Sequence, residues 1–323
     1  MKAMDEDDIV TVDAGSFPGN EQRMATLFGL QPQNNSMKYD PKLIYDVGMN
    51  NGDDTAYYMW RGFRVRAIEA NPELVQNALT RFAREIRTGR LMILNVGIAE
   101  EQGSVLPFWI CDADSRLSSF DRGLASLNGS CPHHEIRVSC RGFRSILEEF
   151  GVPFYMKVDI QGYDYLCVKD LDSQQLPKFI SVSDINLLDS LYKLGFNYFK
   201  CITQRHYLPL QLPLTVEASR LQRAEWLQQN RNPLIRAFRK LGGRHWIERQ
   251  FNRIRTRDGW LFPHGSSGPF GDDLPGRWLS YNELSDTYSR FLRLRWQSPR
   301  SLLWAPGGIL SNPFNIDLHA CRA

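Results

Sequence analysis

The sequence predicts a doubly wound α/β protein: a mostly parallel, seven-stranded sheet followed by a C-terminal helical and loop extension. Two observations predict it. Short β-rich runs alternate with helical stretches from Leu43 to about residue 205, and such alternation builds parallel sheets with right-handed crossovers. The first run, "LIYDVGM", passes through a glycine turn into "DDTAYYMWRG", so a strand opens directly onto a helix N-terminus. Of 323 residues, 42% are apolar and 23% charged, enough for a core of that size.

The remaining elements follow in order. "FRVRAIEA" reads as the second strand. "NPELVQNALTRFAREIRTG" reads as an amphipathic helix with Pro72 near its first position and Gly89 as its stop. "RLMILNVGIA" is a third strand, and "GSVLPFWIC" with "EIRVSCR" looks like an antiparallel insertion. The alternation then resumes with helix "GFRSILEEFG", strand "PFYMKVDI", helix "YDYLCVKDL", strand "KFISVSDI", helix "LLDSLYKLG" and strand "NYFKCITQ". Residues 1–38 are polar and acidic without a sustained period, which suits a loosely ordered lead-in. The expected core spans 39–208 and the extension 209–323.

The formal charge of +3 is too small to imply a nucleic-acid partner. No window has the roughly 18–20 apolar residues needed to cross a bilayer. The opening "MKAMDEDDIVTVDAG" lacks the pattern of a secretory signal. Six cysteines (Cys111, Cys131, Cys140, Cys167, Cys201 and Cys321) show no C-x-x-C spacing, so buried free thiols and a cytoplasmic location are expected. Charge concentrates in residues 217–258, where 11 Lys and Arg face four acids. Apolar residues recur there at helical spacing: Leu234, Phe238 and Leu241, then Trp246, Ile247, Phe251 and Ile254. Such basic amphipathic helices suit either a helical cap with a solvated outer face or contact with an acidic surface, such as membrane headgroups or an anionic glycan.

The turn "DVGMNNGDDT" carries the first chemical clue. A dinucleotide site wants three glycines and a pyrophosphate at the helix N-terminus. Here Gly48 and Gly52 flank Met49, Asn50 and Asn51, and the turn lies among Asp46, Asp53 and Asp54. Phosphates would meet like charge in a partly dry pocket. Asp53 and Asp54 suit the positive end of the helix as cap or first-turn residues. A cationic ligand resolves the conflict. S-adenosylmethionine carries a sulfonium and an ammonium and no phosphate, and Gly48 and Gly52 allow close approach to the backbone. Glu69, at the tip of the second strand, suits the two hydroxyls of an adenosine ribose, and Asn95 after the third strand suits an adenine edge.

Four stretches in order ("DVGMNNGDDT", "AIEANP", "MKVDIQGYDYLCVKDL" and "GFNYFK", within residues 43–203) resemble the FkbM-type class I methyltransferases. The resemblance implies a Rossmann-like sheet, S-adenosylmethionine as donor, and O-methylation of a hydroxyl on a glycan or small natural product. Ligands in doubly wound sheets sit beyond the carboxyl ends of the strands, so Asp159 and Gln161 should face the donor. Asp159 is the candidate base or acceptor-orienting group, with Lys157 beside it on the same strand; His206 is an alternative base. Ser118 and Ser119, in "SRLSSFD", join Gln161 as candidate acceptor contacts, whereas His133 and His134 read as solvent-facing.

The chain departs from that family's pattern at Gln161 and Ser183, where relatives usually carry acids. The departure raises the alternative of a non-catalytic S-adenosylmethionine-binding protein. A nicotinamide-dependent oxidoreductase is the remaining alternative, and no metal is expected. "HGSSGPFGDDLPGRW" (264–278) lacks the Lys-Ser/Thr of a phosphate loop. It reads either as a lid or acceptor-site wall or as a structural loop packing Phe270 and Trp278.

Overall fold

The computed structural model describes residues 38–204, 207–211, 220, 223–224, 227–228, 230, 232–254, 256–257, 259–263, 265–297 and 316–322. In chain order the elements are β1 (Tyr39–Val47), α1 (Asp53–Trp60), β2 (Arg64–Ile68), α2 (Pro72–Arg81), α3 (Ala83–Arg87), β3 (Leu91–Leu94), β4 (Gly97–Ile98) and β5 (Val105–Cys111). Next come α4 (Arg122–Ala125), β6 (His133–Arg141), α5 (Phe143–Phe150), β7 (Val152–Val158), α6 (Asp164–Lys169), β8 (Phe179–Val182), α7 (Leu188–Leu194) and β9 (Tyr198–Thr203). The extension adds α8 (Pro233–Phe238), α9 (Arg244–Ile254), the β10–β11 hairpin (Thr256–Arg257 and Trp260–Leu261), β12 (Leu279–Ser280), α10 (Tyr281–Gln297) and β13 (Ile316–Cys321).

The main sheet has eight strands in the order β12-β9-β13-β8-β7-β1-β2-β3. From β3 to β8 all neighbours are parallel; β13 runs antiparallel to both β8 and β9. Leu43 to Val47 and every residue of β13 are buried, as strands covered on both faces require. One face packs Tyr45, Met156 and Val158 under Phe143, Ile146 and Leu147 of α5, Leu191 of α7 and Leu284 and Phe291 of α10. The other packs Ile44 and Tyr155 under Tyr57 and Tyr58 of α1, Ala78 of α2 and the aromatic residues Phe262 and Phe270 of the extension. Phe270 lies flat on Tyr155 with ring centroids 4.5 Å apart, and Trp278 stacks on Phe179 at 6.0 Å. The extension thus covers part of the sheet itself.

Three differences from expectation have physical causes. The sheet is not complete near residue 205 and does not stop at seven strands, because β13 and β12 arrive from the extension; the core therefore reaches beyond 39–208. The single helix expected over 71–89 breaks at Phe82 (φ −112°), whose buried ring lies against Gly52. Asn71 caps α2 by accepting from the Glu73 amide, with Pro72 at the first position. The third expected strand leaves the sheet at Asn95, and β4 joins β6 and β5 in a separate three-stranded sheet, β5 and β6 being antiparallel. Among the described residues no helix is long and apolar enough to cross a membrane.

Candidate functional site

A cleft opens beyond the C-terminal ends of β1, β2 and β7, walled on its far side by the loop after β5 and by Gly265 and Ser266 of the extension. Its floor is the turn after β1. Gly48 is left-handed (φ +81°), and a Cβ there would lie 2.2 Å from the Asp159 carbonyl oxygen, so glycine is what lets β1 and β7 close up. Gly52 (φ +79°) stands at the α1 N-cap against the Phe82 ring. Asn50 (φ 52°) and Gln161 (φ 40°) are non-glycine residues held left-handed at the cleft wall, a conformation that surrounding contacts must enforce. Those contacts are visible. The Asn50 amide donates to Glu69 Oε2 (2.7 Å), and the Gln161 carbonyl accepts from Ser119 Oγ (2.9 Å).

Glu69 is buried at the mouth of β2 and accepts a second backbone bond from Asn71 (2.9 Å) on Oε1. Burial raises its carboxyl above the usual range, opposed by these amides. Lys157 is buried between acids: its Nζ lies 3.1 Å from Asp46 Oδ1, 2.8 Å from the Gly48 carbonyl and 3.7 Å from Asp54 Oδ2. Burial works against its charge, yet Asp46 and Asp54 hold the amine above its ordinary range. Thr55 Oγ1 completes Asp46 at 2.6 Å. Asp54 also accepts from the amide of Ser267 (3.0 Å) and from the Ser266 hydroxyl.

Asp159 lines the cleft one residue beyond β7. Burial pushes its carboxyl above the usual range, against the pull of Lys157, and Gln161 Nε2 approaches it at 3.4 Å. Behind it, Asp164 accepts from the Ile160 amide (2.9 Å) and from the amide and hydroxyl of Ser183 (both 2.7 Å); burial raises it to about 6. Ser183 thereby ties the end of β8 to the turn carrying Asp159.

Several expected residues take other places. Asp46 is fully buried and meets Lys157 and Thr55 instead of the cleft. Asp53 and Asp54 stand in the first turn of α1 as expected, but neither caps it with its side chain, since Gly52 holds that position; Asp53 pairs with Arg81 (2.9 Å) and Asp54 faces Lys157 and the extension. The negative rim is therefore partly neutralised. Asn95 is exposed, its amide donating to the carbonyls of Glu69 (2.9 Å) and Ala70 (3.3 Å), and the adjoining cleft wall is Val96, Gly97 and Ile98. Ser118 reaches the cleft wall while accepting from the Cys111 amide, whereas Ser119 is 1% exposed and serves Gln161. His206 lies outside the described residues.

On the wall, Ser115 belongs to the serine stretch expected to meet an acceptor and Ser266 to the 264–278 loop expected as a lid or acceptor-site wall, whereas Arg116 was missed. Arg116 grips Asp114 through Nε (2.8 Å) and its terminal nitrogen. Its one local signal was its place among those serines. Asp317 was missed as well. It is buried on β13 and accepts from Gln204 (2.7 Å), and burial followed by the nearby Asp159 pushes its carboxyl well up.

Both cations on the wall, Lys157 and Arg116, are thus engaged with acids, while Asp53, Asp54, Glu69 and Asp159 border the same space. A polyphosphate finds no uncommitted base there. The acids suit a positively charged ligand, and the Gly48 turn allows close approach to the backbone.

A family model described as the methyltransferase FkbM domain matches residues 46–208. No curated protein matches the chain. Matched solved structures include precorrin-6y C5,15-methyltransferase from Geobacter metallireducens GS-15 (11% identity, 64% of this chain and 88% of that chain, TM-score 0.28). Another is YjhP from E. coli (12% identity, 94% and 92% coverage, TM-score 0.25). At these scores neither bears on function. The family match starts at Asp46, the buried partner of Lys157, and takes in every strand of the main sheet from β2 to β9; on that match the chain belongs to the FkbM methyltransferase family.

Proposed function

We propose that the protein is an S-adenosylmethionine-dependent O-methyltransferase acting on a hydroxyl of a glycan or small natural product. The observation that carries this reading is the buried Glu69 carboxylate, bordering the same cleft as Asp159, in a wall whose cations are already paired. S-adenosylmethionine would supply an electrophilic methyl group. Glu69 would hold the ribose hydroxyls, the Gly48–Asn51 turn the methionine end, and Ile68, Val96 and Ile98 the adenine faces. Asp159 would orient the acceptor hydroxyl and take its proton. Its raised pKa brings it nearer to that of a useful base at neutral pH. Ser115, Ser118, Gln161 and Ser266 offer hydrogen bonds on the acceptor side, which favours a polyol over an apolar acceptor. The six thiols, all free and buried, suit a reducing cytoplasm.

The test is calorimetric titration with S-adenosylhomocysteine and with NADH, followed by a labelled-methyl assay on glycan and metabolite extracts. Binding of the first ligand alone, with label entering a hydroxyl, is the expected result. Binding without turnover would mark a non-catalytic binder, the reading that Gln161 and Ser183 favour. NADH binding would overturn the donor assignment.

A further inference from the structure

The extension carries a surface that methyl transfer does not use. α8 and α9 are joined by the turn Arg239–Gly243, in which Gly242 is left-handed (φ 101°). Leu234 is 80% exposed and Leu241 87%, more than any other large apolar side chain among the described residues. Phe238 and Trp246 are exposed at 42% and 44%. Leu234 and Phe238 lie one helical turn apart on α8, and Leu241 follows at the kink, where the backbone leaves the helix. Ile247 of α9 is 1% exposed, and the Phe238 ring packs on Gly243. The two leucines are left standing in water.

Cations surround them. Arg236, Lys240, Arg244 and Arg249 are all exposed. Within residues 232–250 the one acid is Glu248, and Arg244 neutralises it at 3.0 Å. Protruding aliphatic side chains ringed by basic ones match a lipid–water interface, where leucines enter the acyl boundary and cations meet anionic headgroups. A nucleic acid or an acidic polysaccharide would satisfy the cations and leave the leucines in water.

We propose that the α8–α9 hairpin docks the protein peripherally on an anionic lipid bilayer, with Leu234 and Leu241 as the inserting residues. The proposal is independent of the methyl-transfer reading, because its readout is binding alone.

The experiment is co-sedimentation of the full chain with vesicles of phosphatidylcholine, with and without phosphatidylglycerol. Roughly tenfold or greater preference for the anionic vesicles is expected, weakening as salt rises. The double variant Leu234→Gln, Leu241→Gln should lose binding while keeping the melting temperature, since both side chains already face water. Arg236→Gln with Lys240→Gln should lose the anionic preference. Failure of the wild-type chain to sediment with anionic vesicles would overturn the proposal. So would unchanged binding by the leucine variant, or heparin binding that the leucine variant shares with the wild type, since either would leave a purely ionic contact.

Discussion

At the scale of single residues, Asp159 and Glu69 divide the proposed chemistry. If Asp159 takes the acceptor proton, Asp159→Asn should slow single-turnover methyl transfer by about 10²–10⁴-fold. S-adenosylhomocysteine affinity should stay within a few-fold of wild type by calorimetry. Burial holds the Asp159 carboxyl above the ordinary range. The base form is therefore lost as pH falls through that raised value, and the acid limb of kcat/KM should lie above the usual carboxylate range and vanish in the Asn variant. Glu69→Gln should do the converse, weakening the same ligand by roughly 10–100-fold, the worth of hydrogen bonds to a charged group. Lys157 has a structural task. Lys157→Met would leave Asp46 and Asp54 buried without their counter-ion and should cost about 3–5 kcal/mol in denaturant unfolding.

Among the elements, the loop 265–274 and β13 matter most, and both come from outside the segment whose alternation announced the sheet. The loop reaches the cleft because Ser266 and the Ser267 amide bind Asp54, and Arg61 bonds Asp273. Ser266→Ala should therefore cost about 1 kcal/mol in urea unfolding, with the Ser267 bonds preserved. β13 lies between β8 and β9, so Leu318→Asp, which puts a charge at a position with 0% exposure, should remove more than about 4 kcal/mol and the cooperative transition with it. The parallel strands were legible because their apolar runs are bounded by turn residues such as Gly48, after β1, and Gly151, before β7. β13 was not, because "IDLHAC" carries Asp317 and His319 in a buried run and pairs with strands far away in sequence. Glu69 and Asp159 were legible as acids at strand tips. The pairing of Lys157 with Asp46 was less so: it depends on the β1–β7 register, which sets Asp46 opposite Lys157, and spacing along the chain does not reveal it.

For the whole molecule, the interior holds an unusual number of ionisable groups, and His319 gives one of them a clean signature. It is 1% exposed, its Nε2 has no hydrogen-bond partner, and burial, aided by Lys200, lowers it to about 3. Between about pH 3 and 6.5 the unfolded chain would bind a proton there that the native state refuses. This term therefore stabilises less as pH falls through 6.5. Its slope reaches about 1.4 kcal/mol per pH unit. The buried acids Asp164 and Asp317 act with the opposite sign, so the measurable quantity is the difference between wild type and His319→Gln. That difference should be flat above pH 7 and should grow in favour of the variant on acidification.

The placement of β13 also bears on how the protein is made. β9 ends at Thr203 and β13 begins at Ile316, yet they share six paired residues. During translation β8 and β9 emerge long before the strand that belongs between them, leaving an open slot of unpaired backbone. Such a nascent chain offers chaperones a long-lived target, and its sheet closes only after residue 321 has cleared the ribosome.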